Sequence, residues 1–401
     1  MKYRSITLSG CNREVLLSIL FVMVVTMLTA QGIQPESNVD STHYHPLTLG
    51  LLYPISTNHT RHDSTGVSLA LLQNSVGNVR GVHLCGFSAV STGTVRGIQA
   101  SALYSQIDSD LHGASFSTIN VVNDNVTGMQ MAVGANLLGR SFKGGQSAGA
   151  VNFIGGHFSG YQQSAVFNIV GKSFRGAQVA GAGNVVGGNF GGVQLGTTFN
   201  FVGRVFRGFQ TAFVNVAAES RGCQFGWGNI AQVNHGWQIG FLNLAEDQQG
   251  VPVGLVNISD DGDVQWQSYA SNFAQFVTAV RFVSGNFVSS LELGRTNLES
   301  DNENSVLFGF HYGYRIPYRN WAVETDVGFF HVEYELDDDS SDIPASFALQ
   351  MRFSATCRLT DWLELYAGIG GSTMAEYVFD DNAQTTETED RFLYFAGINL
   401  F

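Results

Sequence analysis

His43 and His45 form an H-x-H pair, with His59 and His62 close behind, and imidazoles grouped in this way are a common start of a metal site. They lack a Cys or carboxylate partner at useful spacing, so they read as solvated histidines of polar segments. Asp260, Asp261 and Asp263 around Gly262 make half of a calcium loop, without the distal Glu that completes one. His311, Ser354 and Asp326 supply the residue types of a base, a nucleophile and an orienting acid, but no spacing assembles them. No P-loop occurs, and the many G-x-G matches open no helix. Of four cysteines, Cys11 lies near the N-terminus and Cys85, Cys223 and Cys357 are far apart, which is no disulfide framework. The expectation is a protein without catalytic residues, metal or cofactor.

A different set of charges is arranged with more purpose. Arg281, Arg315, Arg352 and Arg358 stand against Glu292, Glu324, Asp326 and Glu364 in the C-terminal third. There the sequence alternates with period two: Val306, Phe308, Phe310, Tyr312, Tyr314 and Ile316 share one face, and Leu307, Gly309, His311, Gly313 and Arg315 the other. Aromatic residues on one side and small or polar ones on the other suit a strand with lipid outside and a packed lumen inside. Segments 276–283, 286–295, 320–334, 345–357, 362–374 and 391–401 behave alike, which gives seven strands. Leu47–Ile55, with Leu47, Leu49, Leu51 and Tyr53 on one face, is the expected eighth, since a membrane barrel must close on itself. An eight-stranded interior holds side chains and little else, so the eight charges are expected to neutralise one another in a plugged core.

The connections follow the same plan. Ser284–Gly285, Pro317–Arg319 and Arg358–Asp361 are short, whereas Thr296–Asn304, Leu336–Pro344 and Tyr377–Asp390 are long, polar and acidic. In outer-membrane barrels the short turns face the periplasm. On that topology everything between the first two strands lies outside the cell. The chain ends on Phe401, the kind of terminal residue read by barrel-assembly machinery, although it is out of phase with the apolar face of Phe392, Tyr394, Ala396, Ile398 and Leu400.

Between these parts the chain repeats. From Gly128 there are five rows of sixteen residues, then three of fourteen, and a degenerate row from Gly250 with Pro252 in the Gln column. Gln130, Gln146, Gln162, Gln178, Gln194 and Gln210 form one column; Asn136, Asn152, Asn168, Asn184, Asn200 and Asn215 form another. Two strands and two turns fit in each row, and rows stacked at about 4.8 Å would turn the columns into amide ladders in a rod of roughly 60 Å. A β-solenoid-like repeat domain is expected; an antiparallel meander of hairpins has the same period and is the alternative.

The N-terminus carries Lys2, Arg4 and Arg13, an apolar stretch from Val15 to Leu28, and Ala30, the pattern of a secretory signal of residues 1–30. Its removal takes away these three cations and Glu14, moving the net charge from −13 to −15. So acidic a chain has no electrostatic reason to bind nucleic acid. The expected organisation is signal 1–30, N-terminal segment 31–46, first barrel strand 47–57, repeat domain 58–271 and seven barrel strands 272–401.

The G-x-Q and Asn columns between Gly128 and Asn243, with the LTLGLLYPIST entry at Leu47 to Thr57, resemble the bacterial "surface repeat" outer-membrane proteins. That family is defined by its repeats and implies no activity at particular residues. The expected function is a Gram-negative outer-membrane protein displaying a structural or adhesive rod, with membrane lipid, assembly machinery and an extracellular ligand as partners. A small channel or transporter and a barrel-embedded hydrolase are the other readings.

Overall fold

The computed structural model describes residues 43–58, 60–296, 305–334, 345–380 and 383–401. The expected signal, His59 and the connections around 297–304 and 335–344 lie outside the described residues. The chain is all-β: a solenoid of about 13 turns is followed by a closed antiparallel barrel of eight strands.

Each solenoid rung has two short strands, for example Phe158–Ser164 and Phe167–Val170. Successive rungs pair in parallel and in register, Gly160 with Gly176, Gln162 with Gln178 and Asn168 with Asn184. Parallel pairing replaces the antiparallel meander as an explanation of the repeat. The Gly column exists because the backbone there is left-handed: φ is +132° at Gly176, and a Cβ at this position would overlap the Gly160 carbonyl oxygen. Inside, Phe142, Phe158, Phe174, Phe190 and Phe206 stack with ring centroids 4.8 to 5.8 Å apart. Ile154, Val170, Val186 and Val202 face them.

The two polar columns are buried and run as opposed ladders. Each Gln Nε2 donates to the Gln of the preceding rung, as from Gln178 to Gln162 at 2.8 Å. Each Asn Nδ2 donates forward, as from Asn168 to Asn184 at 3.0 Å, and also to a backbone carbonyl, that of Val179 at 2.7 Å. Two rows of amide dipoles thus point in opposite directions, and every bond is shielded from water. The Gln ladder ends at Gln238 because Pro252 stands next in register. When the period drops to fourteen the rung narrows, and Ser220, Asn234 and Gln248 follow Phe206 in the core column.

The barrel strands are Asp263–Ser271, Ala274–Ser284, Phe287–Thr296, Ser305–Tyr318, Trp321–Tyr334, Ala345–Thr360, Leu363–Asp380 and Ala383–Leu400, and the last pairs with the first. Three expectations change here. The segment Tyr44–Leu52 is not in the barrel; it pairs in parallel with Ser64–Val76, Leu47 beside Val67 and Leu49 beside Leu69, and forms the solenoid's first rung. Its alternation was that of a solenoid strand with one face out, which period two cannot distinguish from a barrel strand. The first barrel strand is Asp263–Ser271, inside the segment 58–271 expected to be repeat domain. Barrel and solenoid are therefore consecutive along the chain, and the repeat is not an insertion. Finally, most of Tyr377–Asp390 is not a loop: the last two strands pair as far as Asp380 and Ala383.

The two parts meet at the end of the barrel that carries the short turns 285–286, 319–320 and 361–362. In the second and third strands, Phe282, Ser284 and Ser289 point away from the lumen, opposite in parity to Arg281 and Ser290, yet they are buried. What covers them is the last solenoid rung. Asn257 Nδ2, the end of the Asn ladder, donates to Ser289 Oγ at 3.0 Å, and Ser284 Oγ donates to Ser259 Oγ at 2.8 Å. The outer wall of the barrel thus caps the solenoid core.

At the other end, His83 takes the Gln position in its rung, buried beside Ser91 and Gln99 with Nδ1 3.3 Å from each. Burial drives its pKa down to about 4, against a smaller opposing effect of the Gln99 hydrogen bond. The unfolded chain binds this proton more readily, so stability from the neutral ring is complete above pH 6.5 and is lost as pH falls from 6.5 towards 4. We expect a pH-dependent loss of up to about 3 kcal/mol in the first rungs over that window. Hydrogen exchange of residues 79–107 at pH 7 and pH 4.5 measures it, and His83→Gln, which restores the column, should remove most of the difference.

Candidate functional site

The barrel lumen gathers the charged residues that alternation sends inward. Nearest the short turns, Glu324 accepts from Arg281 Nη2 and from Arg315 Nη1, both at 2.5 Å. Arg315 also holds Glu364, through Nη2 at 2.7 Å and Nη1 at 3.1 Å. Gln265 accepts from Arg281 at 2.5 Å, and Asn399 donates to Glu364 at 2.8 Å. These residues come from six of the eight strands. Closure of the sheet is what brings them together.

A second layer lies deeper. Arg352 reaches Asp326 through Nε at 2.7 Å, Tyr269 OH through Nη1 at 3.0 Å, and Glu292 through Nη2 at 3.3 Å. Glu292 also accepts from Tyr269 OH at 2.6 Å and Ser290 Oγ at 2.7 Å, and His311 Nδ1 stands 3.0 Å from it. Gly328 makes room for the imidazole, since a Cβ there would overlap the ring. The guanidinium of Arg352 lies 5.4 Å from the Tyr269 ring centre and 5.3 Å from that of Phe395. Above this layer Phe273, Val277, Leu307, Phe330, Val332 and Leu393 close the lumen with apolar side chains.

Seven of the eight predicted lumen charges meet in this way. Arg358 does not: it sits at the rim, half-exposed, 3.4 Å from Asp263 and 3.9 Å from the Phe401 ring centre. Its parity is inward, but it lies beyond the point where the strands still enclose a lumen. The inward set thus has three arginines against four carboxylates, and His311 is the remaining partner of Glu292 and Asp326, 3.9 Å from the latter. Tyr269, Gln265, Ser290 and Asn399 are the lumen residues that sequence reasoning left out, and His311 was not counted among the paired charges. Tyr269 lay in a strand assigned elsewhere. The period-two pattern did place His311 inward, and that was the available signal.

Between the two layers a cavity of about 10 Å³ is left, lined by Gln267, His311, Arg352, Ser354 and Tyr366 among others. That is room for about one water molecule. Among the described residues no hydrogen bond joins Ser354 to His311. At the far end of the solenoid the carboxylate of Asp63 accepts from His43 N at 3.3 Å and Thr60 N at 2.9 Å and stands 3.5 Å from His45 Nε2. The fold thus supplies the acidic partner these histidines lacked in sequence, as a fastening for the first rung. The predicted Gln and Asn columns are all in register and buried, so they offer no ligand face.

Outside, the barrel is mainly apolar between its two rims. Val306, Phe308, Ile316, Val323, Leu349 and Phe353 are exposed, and Trp266, Tyr318, Trp321 and Trp362 ring the short-turn end. From Tyr318 to Phe308 is ten residues, about 33 Å along the strand and about 25 Å in height at a ~40° tilt. That height matches the apolar band of outer-membrane barrels.

Two solved structures resemble this chain. They are the N-terminal β-barrel domain of Pseudomonas aeruginosa OprF, at 10% identity over 35% of this chain and 98% of that one with a TM-score of 0.26, and Neisserial surface protein A (NspA), at 10% identity over 35% and 93% with a TM-score of 0.22. No protein-family model and no curated protein matches the sequence. The barrel assignment rests on the strand pairing itself.

Removing Arg352 would leave Glu292 and Asp326 without their principal cation. Arg352→Met is expected to cost about 3 kcal/mol or more, whereas Arg358→Met, at the rim, should cost under about 1 kcal/mol. Urea titration of the barrel in detergent, followed by the gel shift of unboiled samples, distinguishes the two; equal effects would contradict the layered lumen.

Proposed function

We propose that this is an outer-membrane protein of a Gram-negative bacterium in which a sealed barrel anchors a repeat rod, with a structural or binding role. The observation that carries the reading is the apolar belt around a filled lumen. A belt of this height needs lipid around it. With about 10 Å³ of free space between its charged layers, the lumen favours an anchor over a conduit. The joining of a closed barrel to a solenoid is also what the surface-repeat resemblance implies.

The corrected topology supports one side of the membrane for the rod. An extracellular rod rested on a repeat domain looped out between two barrel strands. The whole solenoid instead precedes the barrel and joins it at the short-turn end, where the chain also finishes at Phe401. Short turns face the periplasm in outer-membrane barrels, so the rod belongs on the periplasmic side and its partners are to be sought there. Phe401 is held at this rim by the hydrogen bond that its N–H donates to the Trp362 carbonyl at 3.2 Å.

Tyr312→Asp puts a carboxylate in the middle of the belt at a cost of about 2–3 kcal/mol and should deplete the heat-modifiable species from the membrane fraction; normal assembly would mean the belt is not in lipid. In intact cells the rod should resist added protease and become sensitive once the outer membrane is permeabilised. Cleavage of the rod in intact cells would reverse the orientation.

A further inference from the structure

The solenoid's surface is as unevenly charged as a membrane-bound helix. Between Gly66 and Ser259 there are fifteen Asp, Glu, Lys and Arg residues. All of them fall in the closing part of each rung, at least three positions after the Asn column and before the next Gly. From the residue after each Gly to the second residue after each Asn, no rung carries one. This uncharged flank includes most of both strands and the bend between them, and many of its side chains are exposed: Leu49, Leu71, Met131, Val133, Tyr161 and Phe209 along its length. Over about thirteen rungs at ~4.8 Å, with strands about 13 Å long, each face of the flank covers about 800 Å². Soluble monomers rarely leave more than a few hundred Å² of contiguous apolar surface exposed.

We propose that this flank lies on a lipid bilayer, making the rod a lateral arm along the membrane surface beside its own barrel. The proposal rests on the reading that the barrel is itself in the bilayer. Three observations name lipid as the occupant. The rod starts on the outer wall of the barrel: Phe282, Ser284 and Ser289, whose side chains point away from the lumen, are the ones its last rung covers. The rod therefore leaves the barrel at its outer wall. The rungs next to the barrel carry exposed aromatic side chains, with Phe213, Trp227 and Phe241 stacked at 5.4 and 5.3 Å and Trp237 nearby. Tryptophan is the residue favoured at the membrane–water boundary. Lastly, the outward columns change size from rung to rung without pattern; the positions of Leu71, Gly86, Ala102, Val133, Gly149 and Trp227 are one column. A protein partner needs a fixed complementary shape and directional polar anchors, whereas fluid acyl chains need neither. In the distal rungs this unevenness leaves an apolar groove of about 830 Å³, where Ala70, Gly86 and Ala102 lie low between Leu69, Phe116 and Met131. It has the size and lining of a site for an apolar ligand, such as a lipid chain.

The test is fluorescence quenching of the full chain in phospholipid vesicles, once with a phosphatidylcholine brominated in its acyl chains and once with aqueous iodide. The rod signal is the difference between the native protein and W227F/W237F, both checked for heat-modifiable barrels. A second pair, with Trp266, Trp321 and Trp362 replaced by Phe, isolates the rod directly. Brominated lipid should remove most of the rod emission and iodide little. Strong iodide quenching with no effect of brominated lipid, in a barrel that remains heat-modifiable, would overturn the proposal while leaving the membrane anchor intact. Protection from both quenchers, with twice the chain mass in detergent, would overturn it in favour of a second copy on the flank. A barrel that never becomes heat-modifiable in vesicles would overturn both readings.

Discussion

A stack of parallel strands satisfies its backbone and its side-chain amides only from rung to rung, so each end presents a row of unpaired groups and an uncovered core. This constraint governs the molecule. Each internal Asn of the ladder donates forward to the next rung, and a forward-running ladder must finish on an acceptor. Here that acceptor is Ser289, on the outer face of a barrel strand. Ser284 and Phe282 complete the cap. A solenoid that ended in solvent would leave the Asn257 donor and the last apolar layer in water, and edges of that kind invite pairing with other chains. The barrel wall closes the stack and fixes where the rod is attached.

The barrel solves a related problem with different means. Its strands have no edge, so its backbone is satisfied by closure. What remains is an interior too narrow for more than about one water molecule and too polar for a simple apolar core. Two layers of arginine–carboxylate contacts fill it, with Tyr269, Gln265, Ser290 and Asn399 taking up bonds that the charges leave over. Buried charge of this kind contributes little net stability when complete and costs several kcal/mol when broken. Its value is in fixing register, because a one-residue slip of any of the second to seventh strands would send an arginine or a carboxylate into lipid.

The repeat was legible in sequence because identical residues at fixed spacing can mean only stacking, and the Gln and Asn columns became the ladders they were expected to be. The seven C-terminal strands were legible because Phe308 and Arg315 cannot share an environment, so parity assigned their faces. Two things were hidden. Leu47–Leu51 alternates as well as any barrel strand does, and only its partner, Ser64–Val76, reveals which sheet it belongs to. Asp263–Ser271 carries two glutamines inward and so looks like more of the repeat. Exchanging these two strands turned a solenoid that precedes the barrel into one inserted in it, and reversed the side of the membrane inferred for the rod. The cap itself could not be read at all, since Ser284 and Ser289 look like ordinary outward positions until a rung is placed against them.

The capped junction is tested most directly by a cross-link. Ser259 and Ser284, whose hydroxyl oxygens are 2.8 Å apart, can be replaced by cysteine after Cys85, Cys223 and Cys357 are changed to serine or alanine. In membranes, mild oxidation should join Cys introduced at these two positions nearly completely, within one chain and without loss of the heat-modifiable barrel. If a folded barrel forms and the two thiols stay free, the rod does not end on the barrel wall, and the account of the junction is wrong.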